Sequence, residues 1–192
     1  SGHPMRYTAQ VLHGFNPLEA LEGEWRELFN QAESPNPFFS AEWVFTWLNH
    51  RGGRVFPVTL IVRDTDNSLV ATWPFFEYPA IGGRGLWVGL SDIADCLEPL
   101  VIRPDESLLR TVFEALGQLL SEYRFIWIPL LRGQWVRDYL EPALQTFPNL
   151  PIIRNRAPNY FVDLNAHPGF DSYLTSTVGA KTRKSLRYDT RQ

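Results

Sequence analysis

The spacing of apolar residues switches repeatedly between two periods along this chain, and that switching constrains the fold more than any single motif does. Val55 to Asp64 and Ser68 to Glu77 are rich in β-branched and aromatic residues and are joined by Thr65-Asp66-Asn67, which predicts an antiparallel hairpin. Pro104-Asp105-Glu106 then opens a run in which Leu108, Leu109, Val112, Phe113, Leu116, Leu119 and Leu120 recur at three- and four-residue spacing. That is the pattern of an amphipathic helix with acid in its first turn. A chain that alternates strand and helix in this way favours a mixed sheet covered by helices over a sandwich or a bundle.

The remaining elements follow from local signals. Arg6 to Leu12 alternates like a strand. Asn16-Pro17-Leu18-Glu19 supplies a cap, a helix-opening proline and a capping-box glutamate for a helix that buries Leu18, Leu21, Trp25, Leu28 and Phe29. Ser40 is placed to cap a second helix, with Phe39 stapled to Val44 and with Trp43, Trp47 and Leu48 on the inner face. Gly82-Gly83-Arg84-Gly85 reads as a turn before a strand near Leu86 to Val88, and Leu97 to Ile102 reads as another strand. Arg124 to Leu130 is an apolar run suited to a central strand covered on both faces. Trp135 to Phe147 has a helical pattern interrupted by Pro142. Leu150 to Asn155 and Tyr160 to Leu164 are expected to be strands, Phe170 to Val178 a helix, and Ala180 to Arg191 its continuation beyond Gly179.

The chain has 192 residues and 44% of them are apolar, enough for one sizeable core. Ser1 to Pro4 precede the single methionine, Met5, and have the look of a cloning scar, so residues 5–178 are expected to form the domain. Lone Cys96 cannot close an internal disulfide, which fits a reducing compartment. No apolar run reaches the roughly 20 residues that span a bilayer, and a cytoplasmic location is expected.

Net charge is −3 but unevenly spread. Residues 179–192 carry Lys181, Arg183, Lys184, Arg187 and Arg191 against Asp189, a local +4 that leaves −7 for the rest. Lys181, Lys184, Arg187 and Arg191 recur at three, three and four residues, one face of a helix that either contacts a polyanion or is simply solvated. Nucleic acid is a poor candidate partner because the body is acidic and no recognised binding module is present.

Histidines His3, His13, His50 and His167 are scattered, so no metal site is expected. There is no phosphate loop, dinucleotide fingerprint or nucleophile elbow. In the polar connection Ser91-Asp92-Ile93-Ala94-Asp95-Cys96, Asp92 and Asp95 offer either a base and amine ligand or ordinary loop-capping carboxylates. The tryptophans Trp87 and Trp135 leave open a different class of function, a non-catalytic module that stacks a sugar or peptide ligand on an aromatic groove.

Asn36-Pro37-Phe38-Phe39-Ser40-Ala41-Glu42-Trp43 with Trp47, the stretch from Gly85 through Ser91-Asp92 to Leu97-x-Pro99-Leu100, and the terminal Lys181-x-Arg183-Lys184-x-Leu186-Arg187 together resemble the CelD-like acyltransferases, relatives of the Fem-type aminoacyltransferases. The resemblance implies a GNAT-like α/β (α+β) fold with a mixed, mostly antiparallel central sheet flanked by helices. It also implies two such domains in tandem, of which residues 5–178 would be the first and the basic helix 179–192 the lead into the second. The implied activity is transfer of an acyl or aminoacyl group to an amine of a polysaccharide or cell-envelope precursor. The implied donor is acyl-CoA or an aminoacyl carrier, and the acceptor a small molecule, glycan or peptide. The family's diphosphate loop, Gln or Arg followed by x-x-Gly-x-Gly/Ala, is absent, Gly179-Ala180-Lys181 coming nearest. This domain alone is therefore expected to bind no cofactor and to be inactive, with Ser91, Asp92, Asp95, Lys181, Arg183, Lys184 and Arg187 as acceptor contacts.

Overall fold

The computed structural model describes residues 7–51, 54–90, 97–129, 131–145 and 168–183. The chain divides into two compact units at Leu150/Pro151.

The first unit is built on a mixed sheet, as the alternation of periods predicts, and it is mostly antiparallel, as the resemblance implies. Strands β1 (Thr8–His13), β2 (Pro57–Arg63), β3 (Leu69–Ala80) and β4 (Gly83–Val88) are antiparallel neighbours in that order. A two-residue β5 (Leu100–Val101) also pairs antiparallel with β3, at Ala71 and Thr72. Only β6 (Ile126–Trp127) runs parallel to its neighbour, Leu86 and Trp87 of β4 standing beside Ile126 and Trp127. The β2–β3 turn forms because the Asp64 carboxylate accepts from the amides of Asp66 and Ser68 while Asn67 takes φ +63°. Of the glycine-rich segment only Gly82, at φ +81°, lies in the turn between β3 and β4; Gly83, Arg84 and Gly85 already pair with β3, so the strand expected near Leu86 starts three residues earlier.

Helices cover both faces of the sheet. In β3, Trp73 and Phe75 point to one side and Phe76 to the other, as alternation requires. Trp73 meets Phe113 of α4 (Glu106–Leu119) at 5.6 Å between ring centroids, and Phe113 in turn packs against Trp135 and Tyr139. Phe76 on the opposite face meets Trp47 of α3 (Ala41–Arg51) at 5.0 Å. Beside α3 lies α2 (Glu22–Gln31), with Trp25 edge-on to Phe45 and its indole N–H donating to the carbonyl of Phe39 at 2.7 Å. Trp25, Trp73, Phe39, Phe75, Phe76 and Phe113 are all fully buried, and each contributes about 1.5–3 kcal/mol by leaving water.

The expected strand at Leu97 to Ile102 is reduced to the two residues of β5, and the structure corrects four further expectations. The first helix begins one residue before Asn16, as α1 (Phe15–Ala20), because Gly14 at φ +91° makes the exit from β1 and stands at the cap with no side-chain bond; the helix then bends at Leu21 before α2. Ser40 does cap α3, its hydroxyl accepting from the Trp43 amide, but Trp43 is 42% exposed and lies against Phe38, while Val44, Phe45, Trp47 and Leu48 face inward. Among the described residues the Arg124–Leu130 run forms only the short β6, with Trp127 54% exposed, so it is not the expected strand covered on both faces. Pro142 does not stop its helix. Gly133–Trp135 (α5), Val136–Leu140 and Glu141–Leu144 (α6) run on without a break, the middle five residues in π geometry. The proline ring would clash with the carbonyl four residues back, and that residue, Asp138, lies in the widened turn.

In the second unit, α7 (Phe170–Thr177) starts at Gly169 without a side-chain cap. The chain leaves helical geometry at Val178 and is helical again over 180–183. The predicted strands at 150–155 and 160–164 lie outside the described residues.

Candidate functional site at the carboxyl ends of the parallel strands

In open sheets, ligand crevices form beyond the carboxyl ends of parallel strands where connections part. The only parallel pair among the described residues is β4–β6, with α4 between them in sequence. At its carboxyl end the chain parts from β3. The Gly89 amide still donates to the Pro74 carbonyl at 3.1 Å, Leu90 turns away at φ +69° although it is buried, and the chain is back beside β3 at Leu97, whose carbonyl accepts from the Trp73 indole at 3.0 Å. A left-handed leucine is a strained residue held by its surroundings.

Glu98 follows at once and is 5% exposed, the one buried carboxylate among the described residues. Its Oε1 accepts from the backbone N–H of Arg132 at 3.1 Å and from the Arg132 Nε. The Arg132 guanidinium lies 5.7 Å from the Trp135 ring centroid. A carboxylate, a guanidinium and an indole from two separate chain segments thus converge where β4 and β5 part. Both bonds from Arg132 fall on Oε1, so Oε2 is the atom of this carboxylate left to accept from an amine.

Of the residues that the sequence singles out, Ser91, Asp92 and Asp95 lie outside the described residues, between the fixed ends Leu90 and Leu97, and so do Lys184 and Arg187. The helical segment 180–183 carries Lys181, which is exposed, and Arg183. The Arg183 guanidinium donates to the carbonyls of Leu174 and Thr175 at 3.3 and 2.9 Å, satisfying the open end of α7 with a cation that also suits its dipole. Sequence reading passed over Glu98 and Arg132. The available signal was a lone acid inside the apolar run Leu97-Glu98-Pro99-Leu100-Val101, since a charge inside a strand-forming apolar stretch is either solvated or specifically paired.

The helix between the parallel strands has its amino end already occupied. Asp105 caps α4, accepting from the Leu108 amide at 2.9 Å, and its other oxygen takes the Tyr7 hydroxyl, also at 2.9 Å. Burial and this bond to Asp105 raise the Tyr7 pKa.

At the opposite end of the sheet, Glu77 Oε1 accepts from Arg84 Nη1 at 2.8 Å and from the Tyr123 hydroxyl at 3.0 Å, and the Arg84 guanidinium lies 5.9 Å from the Tyr123 ring centroid. Burial, reinforced by the bond to Glu77, pushes the Tyr123 phenol up to about 12. Tyr123 is therefore a fixed neutral donor at physiological pH.

No group of three metal-ligating side chains occurs among the described residues, and none of their helices is long and apolar enough to cross a membrane. No family model and no curated protein matches this chain. Among the solved structures similar to it are three acetyltransferases. An aminoglycoside acetyltransferase, HMB0005, from an uncultured soil metagenomic sample shares 12% identity at TM-score 0.43, covering 82% of this chain and 99% of that one. Glucosamine-6-phosphate N-acetyltransferase from Arabidopsis thaliana shares 11% at 0.42, covering 81% and 99%. A predicted acetyltransferase with acetyl-CoA from Clostridium acetobutylicum shares 13% at 0.41, covering 84% and 100%. At such identities and scores the likeness is one of outline and says nothing about substrate.

Proposed function

We propose that this chain is the acceptor-binding part of an N-acyltransferase that moves an acyl or aminoacyl group onto an amine of a polysaccharide or cell-envelope precursor. The observation that carries the reading is the buried Glu98 carboxylate at the carboxyl ends of the parallel pair β4–β6. The resemblance to CelD-like enzymes supports it. Its aromatic segment forms a compact entry to α3, with Asn36 capping the Phe38 amide and Ser40 capping the Trp43 amide. In the proposed reaction Glu98 attracts the acceptor ammonium and takes one proton. The free amine then attacks the carrier's thioester or ester carbonyl, the C–N bond forms, the bond to the carrier breaks, and the carrier's sulfur or oxygen leaves with the electron pair and picks up the second proton shed by the attacking nitrogen. Ser91, Asp92, Asp95, Lys181, Lys184 and Arg187 remain proposed acceptor contacts, with Arg183 sharing its guanidinium with α7. The donor, acyl-CoA or an aminoacyl carrier, is assigned to a second domain of the same chain, and the protein is placed in the cytoplasm.

The test is titration of this chain with glucosamine and, separately, with acetyl-coenzyme A, read by amide chemical shifts and calorimetry. Glucosamine is expected to move the amides of 97–101 and 131–135, with the effect abolished in Glu98→Gln, while acetyl-coenzyme A alone gives no saturable heat. Saturable acetyl-coenzyme A binding near the micromolar range, or glucosamine shifts that survive Glu98→Gln, would sink the assignment.

One observation favours a second reading, a non-catalytic sugar- or peptide-binding module. Trp127 is more than half exposed, beside Trp87 in the strand register, and Trp87 lies 5.9 Å from Tyr78. That module binds neutral chitooligosaccharide as well in Glu98→Gln as in the unaltered protein.

A further inference from the structure

At the end of the sheet far from Glu98, a cleft of about 360 Å³ is lined by Phe15, Arg54, Val55, Phe56, Glu77, Tyr78, Pro79 and Arg84. Its volume is within the range of small-molecule sites, roughly 300–1,000 Å³. Two of the large apolar side chains exposed in this protein, Phe56 and Tyr78, belong to it. The sheet holds the backbone of both: the Phe56 carbonyl accepts from the Glu77 amide at 2.9 Å, and Tyr78 stands opposite Gly85 with its ring 5.9 Å from Trp87. Exposed aromatic rings offer an apolar face on which a flat ligand ring can stack.

The charges around the cleft do not cancel. Glu77 is committed, because one of its oxygens already accepts from Arg84 and from Tyr123. Arg84 uses Nη1 for that contact and is 65% exposed, so its remaining N–H groups face outward. Arg54 is exposed and, among the described residues, its guanidinium has neither a hydrogen-bond nor an ion-pair partner. Two guanidiniums and one committed carboxylate leave one uncompensated positive charge over a ring-lined hollow. Guanidinium forks match planar or tetrahedral oxyanions with two parallel bonds.

From this we infer that the cleft is a binding site, separate from the Glu98 site, for a ligand in which an oxyanion is carried on a flat ring. Phe56 and Tyr78 hold the ring, Arg54 reads the charge, and Arg84, fixed by Glu77 and Tyr123, supplies the second contact. A phosphate or a carboxylate meets the same requirement, so the probes separate the two. Phenyl phosphate, benzoate, inorganic phosphate and phenol are each titrated into the full chain, followed by amide shifts of 54–57 and 77–85 and by calorimetry. Phenyl phosphate or benzoate is expected to bind saturably at those amides and more tightly than phosphate or phenol, the tighter of the two identifying the oxyanion. Arg54→Ala, at an exposed position with no side-chain partner among the described residues, is expected to weaken binding roughly tenfold or more, as loss of a charge-assisted bond does, with Arg54→Lys between the two. Equal binding of phenyl phosphate and inorganic phosphate, no binding by any ring anion, or unchanged affinity in Arg54→Ala overturns the assignment. Because Glu98→Gln leaves this cleft untouched, failure here and failure of the acyl-acceptor reading are distinguishable.

Discussion

Two glycines of the β4 segment invite the same substitution and should respond in opposite ways. A Cβ placed on Gly89 would come within 2.0 Å of Phe76 Cε2 and 2.6 Å of Phe76 Cδ2. Ordinary carbon contacts lie near 3.5–4.0 Å, so the ring or the strand must give way by about 1.5 Å. Phe76 is 1% exposed, edge-on to Trp47 and paired in the sheet on both sides, so its ring has nowhere to go. The strand has to lift instead, which strains the Gly89 amide bond to Pro74. Overpacking at about 1–3 kcal/mol plus a weakened backbone hydrogen bond at about 1 kcal/mol gives a cost near 3 kcal/mol for Gly89→Ala. At Gly85 the added methyl would be even more crowded by number of atoms, with Phe125 ring carbons at 2.3, 2.6 and 2.6 Å. Phe125, however, is 39% exposed and can swing outward. The loss of its contact is offset by the about 0.5–1 kcal/mol that alanine gains over glycine in chain entropy, so Gly85→Ala should fall within about 1 kcal/mol of the parent. Neither glycine has a positive φ, so alanine is allowed at both backbones. Urea unfolding followed by tryptophan fluorescence tests this. With a slope of about 2 kcal/mol per molar, Gly89→Ala should lower the midpoint by about 1.5 M and Gly85→Ala by less than about 0.5 M. Equal midpoints in the two variants would refute the claim that the mobility of the neighbour, rather than the closeness of contact, sets the cost.

Thr59 and Thr72 are fully buried, and among the described residues neither Oγ1 has a hydrogen-bond partner. Thr59→Val and Thr72→Val should each stabilise by about 1 kcal/mol, since an orphaned hydroxyl is exchanged for a methyl of the same shape, and a lowered urea midpoint in either would show that the hydroxyl is satisfied. Tyr123, raised from the ordinary value of 10 to about 12, favours the folded state in its neutral form. That stability is complete below pH 10 and is lost as pH rises toward 12, so Tyr123→Phe should flatten the fall in stability across this window; a phenolate absorbance titration lacking a late-ionising tyrosine would contradict it.

The parts of the fold that were legible in the sequence are those in which one local signal governs the outcome. The β2–β3 hairpin has a turn that its own Asp64 side chain closes, and α4 has an aspartate cap followed by an unbroken apolar stripe. Where two signals compete, the tertiary context decides. Asn16-Pro17 carries a complete capping signature, yet Gly14 takes the cap because the exit from β1 demands a positive φ two residues earlier. Trp43 shares the helical spacing of Trp47, but Phe38 offers it a partner outside the core. The apolar run at 124–130 is equally compatible with a central strand and with a short one bearing exposed aromatics, because periodicity does not say how many neighbours a strand has. The site was the least legible part. Sequence reading led to the polar connection at 91–96, whereas the buried carboxylate lies two residues beyond it, and its partner Arg132 is 34 residues away along the chain. No local pattern encodes a pairing of that kind.

The widened turn ahead of Pro142 also fixes the phase of everything that follows it. A π turn holds an extra residue per hydrogen-bonded ring, so each side chain downstream points roughly 100° away from where an unbroken α-helix would aim it. Ala143 and Leu144 reach the interior in that shifted phase. Loss of a single residue between Val136 and Leu140 would restore ideal helical winding and at the same time rotate both of them toward water. In this segment an added residue is a structural necessity, and the length of the stretch is under tighter constraint than the identity of its residues.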